Sequence, residues 1–187
     1  MRVYSSEMEY DLGPAVAVLG TFDGIHIGHQ ALIARAMALA RELQGVSVVC
    51  TFDRHPLSVL CPQRAPVPLM TAEEKLEKLQ QMGVDAVILK PFTAEFAAME
   101  PRTYLQLLAR QLHLRAVVAG FNYSFGAGGR GDAALIRALA GELNYRAEIV
   151  NAVKDGEETV SSTLIRALLA RGDADRAGRL MALQVKV

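Results

Sequence analysis

The sequence predicts an α/β protein with a doubly wound parallel sheet. Three observations predict it. Short β-branched runs alternate with longer amphipathic stretches along the whole chain. The runs are continuously apolar, as strands buried on both faces must be. The segments between them are long enough to cross over as helices, which makes neighbouring strands parallel and covers both faces of the sheet.

The strands expected are "AVAVLG" (15–20), "VSVVCTF" (46–52), "DAVILK" (85–90), "RAVVAG" (115–120) and "RAEIV" (146–150). The first helix is expected over 29–43, where Leu32, Ala36, Leu39 and Leu43 fall on one stripe. "TAEEKLEKLQQMG" opens on the capping-box pair Thr71 and Glu74 and stops at Gly83. "PRTYLQLLARQLH" starts with Pro101, suited to a first helical turn. "DAALIRALAGEL" begins at an N-cap, Asp132. "SSTLIRALLARGD" runs from a serine cap, Ser161 or Ser162, to Gly172, and Asp173 can cap a last short helix. No internal repeat or low-complexity linker divides residues 1–187, so one domain is expected.

In such sheets ligands bind beyond the C-terminal strand ends. The unusual loops all follow strands: "GTFDGIHIGH", "FDRHP", "GFNYSFGAGGRGD" and, shortly after the fifth, "VSSTLIR". With a helix start near Ile27, His26 and His29 in "HIGH" stand on one side of its first turn, with Gly28 between them so that a phosphate can approach the backbone. The helix start adds free N–H groups and partial positive charge. In "SSTLIR", Arg166 can reach back over the turn and grip phosphate oxygens with its planar fork. Gly126, Gly128 and Gly131 satisfy G-x-G-x-x-G, but they come several residues after the strand, which rules against a dinucleotide loop and suggests a mobile flap. Phe121 is expected in the core, with Tyr123 and Phe125 as aromatic faces. His55, beside Pro56, reads either as a ligand contact or as a plain loop histidine.

Composition narrows the function. Twenty basic and twenty acidic residues cancel, so no broad electrostatic footprint for nucleic acid is expected. The N-terminal stretch has no signal-peptide pattern, no apolar run reaches membrane-spanning length, and Cys50 and Cys61 show no zinc spacing. A cytoplasmic protein with two reduced thiols is expected. There is no P-loop, no H-E-x-x-H and no nucleophile elbow.

With these motifs in this order, residues 14 to 180 resemble the FMN adenylyltransferase (FAD synthetase) module of bacterial bifunctional riboflavin kinase/FAD synthetases, in the HxGH nucleotidyltransferase superfamily. The flavin-specific part of the resemblance is "FDGIHIGHQ" together with G-F-N-x-x-F-G and SSTxIR. It implies that Gly20, Thr21, Phe22, Asp23 and Gly28 line the ATP site, and that His26 and His29 hold the phosphates. Ser162, Thr163 and Arg166 would clamp them from the opposite side. His55, Pro56, Asn122 and Phe125 would face FMN, with Phe125 packing on the isoalloxazine. Mg²⁺ would ride on ATP oxygens, with no protein ligand.

Departures from the family pattern are Asp53-Arg54 in place of Glu-Pro, and Leu164 in place of a frequent arginine. The ending "RLMALQVKV" replaces the link to a riboflavin kinase barrel, so a kinase domain is expected to be absent and FMN to be made elsewhere. The reaction implied is in-line attack of FMN phosphate on the α-phosphorus of ATP, giving FAD and pyrophosphate. The alternatives are an HxGH enzyme with a non-flavin phosphate acceptor, and a non-catalytic flavin- or nucleotide-binding relic. A tRNA-charging enzyme would need a KMSKS-like loop and an anticodon-binding region that this length does not accommodate.

Overall fold

In the computed structural model, which describes residues 1–5, 10 and 12–183, six parallel strands form one sheet. The last four residues of "RLMALQVKV", 184–187, lie outside the described residues. In chain order the sheet strands are β1 (Arg2–Tyr4), β2 (Ala15–Leu19), β3 (Val46–Phe52), β4 (Ala86–Lys90), β5 (Leu114–Gly120) and β6 (Arg146–Val150). Their spatial order is β1-β4-β3-β2-β5-β6. The chain builds outward from β2 through β3 to β4, then returns to the other side of β2 with β5 and β6. The switch point of this doubly wound sheet therefore lies between β2 and β5, paired in parallel from Ala15–Leu114 to Val18–Val118.

All five expected strands occur, and alternation along them assigns the two faces. Ala15, Ala17 and Leu19 of β2 join Val48, Ile88 and Val117 in one core. Val16 and Val18 join Val49, Val87 and Val118 in the other. The first core is closed by α5 (Pro101–Leu112) and α6 (Ala133–Leu139), through Leu105, Leu108, Ile136 and Leu139. The second is closed by α1 (Ile27–Glu42) and α3 (Ala72–Gln81), through Ile33, Ala36, Leu39 and Leu79. A third, smaller cluster packs α7 (Ser162–Ala170) on α8 (Ala174–Met181), with Val160, Ile165, Leu168 and Ala177 buried.

Helix starts follow the expected caps. Thr71 and Glu74 make both bonds of the capping box, and Asp132, Ser161 and Asp173 each accept a backbone N–H of the first turn. Of the two candidate serines, Ser161 is the cap. α1 begins at Ile27, two residues before the apolar stripe and where the histidine pair requires it, with His26 as its cap. α6 ends at Leu139, before the expected Leu143, and the chain turns through Gly141.

Several short elements are absent from the sequence reading. They are the edge strand β1, the single-turn helices α2 (Leu57–Leu60) and α4 (Ala94–Ala97), and the hairpin of β7 (Lys154–Asp155) and β8 (Glu158–Thr159). Each is too short to display a period.

The glycine-rich stretch after β5 is a packed turn rather than a flap. Phe125 and Gly131 exchange both backbone hydrogen bonds (3.0 and 2.9 Å), and the Ala127 N–H donates to Met99 O at 2.7 Å. Gly126 has φ +71°, and a Cβ there would lie 2.6 to 2.8 Å from Pro101 atoms. Gly126→Ala should therefore cost at least about 2 kcal/mol, from combined backbone strain and overlap. Gly141→Ala, whose Cβ would meet nothing within 4 Å, should stay within about 0.5 kcal/mol of wild type. Urea unfolding midpoints of the two variants test both expectations.

Candidate active site

A cavity of about 590 Å³ opens at the switch point, between the ends of β2 (Leu19, Gly20) and β5 (Gly120, Phe121). The start of α1 forms one side and the start of α7 the other. His26 is the N-cap of α1: its Nδ1 accepts the His29 N–H at 3.3 Å. That bond places the imidazole proton of His26 on Nε2, where it is available as a donor. The two rings stack 3.7 Å apart at 17°, and the edge of Phe22 meets His29 at 5.2 Å. A Cβ on Gly28 would sit 3.2 Å from the His26 ring and 3.5 Å from Val160 O, so glycine is needed where the two sides approach each other. Capping and the helix ladder leave the first two N–H groups of α1, at Ile27 and Gly28, with no acceptor inside the helix.

The loop before α1 bends through left-handed backbone at two bulky residues, Phe22 (φ +51°) and Ile25 (φ +39°), which costs conformational energy. Both side chains are fully buried. Gln30 reinforces the bend, its Nε2 donating to Ile25 O and to Ala182 O, both at 2.9 Å. The end of α8 is thereby attached to the histidine loop.

On the facing side, Ser162 Oγ donates to Asp23 O at 2.8 Å, while Thr163 is exposed. Arg166 forms an ion pair with the nearly buried Asp23, and its Nε donates to Val67 O at 2.8 Å. The other oxygen of Asp23 accepts the Leu69 N–H at 2.9 Å. Gly20, Thr21, Phe22, Asp23, His26, Gly28, His29, Ser162, Thr163 and Arg166, expected around the nucleotide, all line this one cavity. Phe22 contributes as buried floor rather than as an exposed ring.

The residues expected on the acceptor side divide. His55 and Asn122 line the cavity, and Pro56 does not; it caps the single turn α2. Phe125 is buried in the core, not exposed to a ligand. Its ring lies 5.7 Å from Tyr104 and 5.5 Å from Tyr123, extending an aromatic row that runs through Phe96 and Phe92 to Phe52. Phe121, expected in the core, is instead 50% exposed on the cavity wall. Their roles are exchanged because the bridge to Gly131 turns Phe125 inward, whereas Phe121 follows directly on the last residue of β5. Leu164 packs against the α7–α8 cluster.

A second cavity of about 540 Å³ shares Thr21, Asp23, His55 and Pro66 with the first and reaches Asp53 and Lys75. Sequence reasoning missed Lys75. Its signal was present: Lys75 lies four residues before Leu79, on the buried stripe of α3.

Burial sets the charges. His26 is pushed down to about 4 by desolvation, against a smaller opposing pull from Asp23. His29 is lowered well below the ordinary histidine value by burial, with His26 and Lys75 adding to the effect. Both imidazoles are neutral at pH 7. His55 is lowered too, by burial and by Arg166 and Lys75, with Asp23 opposing. Burial lowers Lys75 to about 8, with Asp23 and Asp53 opposing.

A doubly wound sheet with two helix N-termini, a histidine pair and an arginine meeting at its switch point defines a Rossmann-like α/β protein. The family model for FAD synthetase matches residues 9–164, and the chain belongs to that family. It is 35% identical to a bifunctional riboflavin kinase/FMN adenylyltransferase of Listeria monocytogenes, over 89% of this chain and 53% of that one. The chain spans about half the length of most curated relatives it matches. A putative bifunctional riboflavin kinase/FMN adenylyltransferase of Geobacillus thermodenitrificans is 31% identical, with 97% of each chain covered. Among solved structures, a Streptococcus pneumoniae chain described as a macrolide-efflux protein superposes with a TM-score of 0.83 at 29% identity, over 97% of this chain and 60% of that one. No helix among the described residues is long and apolar enough to cross a membrane.

The buried neutral imidazoles make stability pH-dependent. Between 6.5 and about 4 the unfolded chain takes up a proton that folded His26 refuses. Stability therefore falls as pH drops through that window and is not recovered below it. By pH 4.5 the His26 share of the loss should reach roughly 2.5 kcal/mol, with His29 acting in the same direction. His26→Asn, which keeps a capping acceptor and removes the titration, should flatten the curve. Urea unfolding at pH 7 and pH 4.5 measures the difference.

Proposed function

We propose that this chain transfers AMP from ATP to FMN, giving FAD and pyrophosphate. The observation that carries the reading is the convergence of the α1 and α7 N-termini on one cavity, with His26 and His29 on one side and Arg166 on the other, in a member of the FAD synthetase family. In this reading ATP lies with its phosphates between the two helix starts. The magnesium ion belongs to the nucleotide substrate, carried on the triphosphate oxygens. FMN approaches from the side of His55 and Asn122, where Phe121 offers an exposed aromatic face.

A phosphate oxygen of FMN attacks the α-phosphorus, forming one P–O bond as the bond from that phosphorus to the α–β bridging oxygen breaks. The electron pair leaves with pyrophosphate. FMN phosphate is already largely ionised at neutral pH, so no general base is required. Catalysis then consists of positioning and charge stabilisation. Neutral His26 and His29 act through hydrogen bonds rather than as cations. Positive charge comes from Arg166 and the helix ends, whose free N–H groups face the developing negative charge.

The domain spanning residues 1–187 carries the transferase site, acts in the cytoplasm, and takes FMN from a riboflavin kinase. Neither nucleic acid nor membrane takes part.

Purified chain with Mg-ATP and FMN should yield FAD and pyrophosphate, resolved by chromatography, and the same mixture with riboflavin should yield neither. Bound FMN and ATP without turnover would reject catalysis, and no flavin binding would reject the acceptor. His29→Ala should lower kcat by about 10²-fold or more, the scale of losing one transition-state donor. Turnover close to wild type in that variant would remove His29 from the mechanism.

A further inference from the structure

Lys75 is 5% exposed, yet its ammonium has no carboxylate among its hydrogen-bond acceptors. It donates to Thr21 O (2.9 Å), Phe52 O (3.0 Å) and Thr51 Oγ1 (3.4 Å), and Thr51 Oγ1 itself donates to Thr21 O at 2.9 Å. These oxygens belong to the segments that carry "GTFD" and "TFDRHP", so one side chain from α3 joins the ends of β2 and β3 under both motif loops. The two carboxylates that act on it electrostatically are committed elsewhere. Asp23 is held by Arg166 and the Leu69 N–H, and Asp53 by Arg54 and the Phe92 N–H. A buried cation paired only with neutral oxygens carries a desolvation cost that a nearby anion would offset.

We propose that Lys75 is a positioning residue of the transferase, holding the two motif loops in register and presenting a buried, titratable cation toward which the anionic nucleotide is drawn. This rests on the reading of the site as ATP-binding. The charged and titratable groups that act on the ammonium or share its cavity are Asp23 after β2, Asp53 and His55 after β3, His29 on α1, and Glu74 on α3 itself, whose carboxylate is engaged in the capping box. In the free chain Lys75 titrates at about 8, so at pH 9 most of the chain carries it neutral. Arrival of the triphosphate raises that value, and the site must take up a proton as it fills.

The experiment is titration calorimetry of the whole chain with Mg-ATP at pH 9, in buffers of different ionisation heat, repeated with Lys75→Met and Lys75→Arg. Wild type should take up protons on binding, and its affinity should decline above pH 8. Lys75→Met should bind about 10-fold more weakly at pH 7, the low end of what loss of a supporting residue costs. It should show neither the proton uptake nor the decline. Lys75→Arg, always charged, should also bind without uptake and keep its affinity at pH 9. Wild type that binds Mg-ATP with no proton uptake overturns the role of Lys75 and leaves the transferase reading standing, and that result needs no folded variant. Persistence of the uptake in Lys75→Met also overturns it. Wild type that binds no Mg-ATP overturns both.

Discussion

Three segments far apart in sequence meet on the carboxylate of Asp23. One oxygen accepts the Leu69 N–H from the loop before α3, and the other takes the guanidinium of Arg166 on α7. Its backbone carbonyl accepts the hydroxyl of Ser162. Arg166 adds a bond to Val67 O, so the 67–69 segment is held from both sides. This junction, together with the Gln30 bond to Ala182, ties the small α7–α8 cluster to the histidine loop. The two sides of the main cavity are set against each other through one acidic side chain. Asp23 thereby fixes the orientation of the Arg166 guanidinium at the cavity wall.

The second constraint is the scarcity of water around the histidines. Burial keeps both imidazoles neutral at pH 7 and commits Nδ1 of His26 to the helix cap. A pair of imidazolium ions stacked 3.7 Å apart would repel strongly in such surroundings. Positive charge is therefore concentrated in Arg166, in the backbone dipoles and, behind the loops, in Lys75. Under the proposed transfer, this division places hydrogen-bond donors against the phosphates and full charges around their periphery.

Much of the fold was legible in the sequence because the signals are local. Apolar runs marked all five long strands, and Thr71, Asp132 and Asp173 marked their helix starts through bonds to residues three positions on. The edge strand β1 was not legible, since its three residues become a strand only by pairing with β4. The apolar stripe over 29–43 did not reach the first turn of α1, and the start near Ile27 followed from the histidine pair; that His26 itself is the cap was not legible, since histidine is an uncommon cap.

The nucleotide side of the site was legible as a set of loops following strands, and the doubly wound topology brings those loops to one rim. The acceptor side was less so. Phe121 and Phe125 are the same residue type four positions apart, and sequence assigned the exposed ring to the wrong one. What decides between them is a bridge to Gly131 and an aromatic row from α5, both remote contacts. The place of Lys75 on the buried stripe of α3 was legible from its spacing to Leu79, but its acceptors were not, because Thr21, Thr51 and Phe52 come to it only through the packing of α3 against the ends of β2 and β3. The sequence by itself determined which elements form and which loops gather, because periodicity and capping act within one or two turns of chain. The tertiary structure decided which side chains face the cavity and which charges lose their water, because burial is a property of neighbours that the chain brings together only on folding.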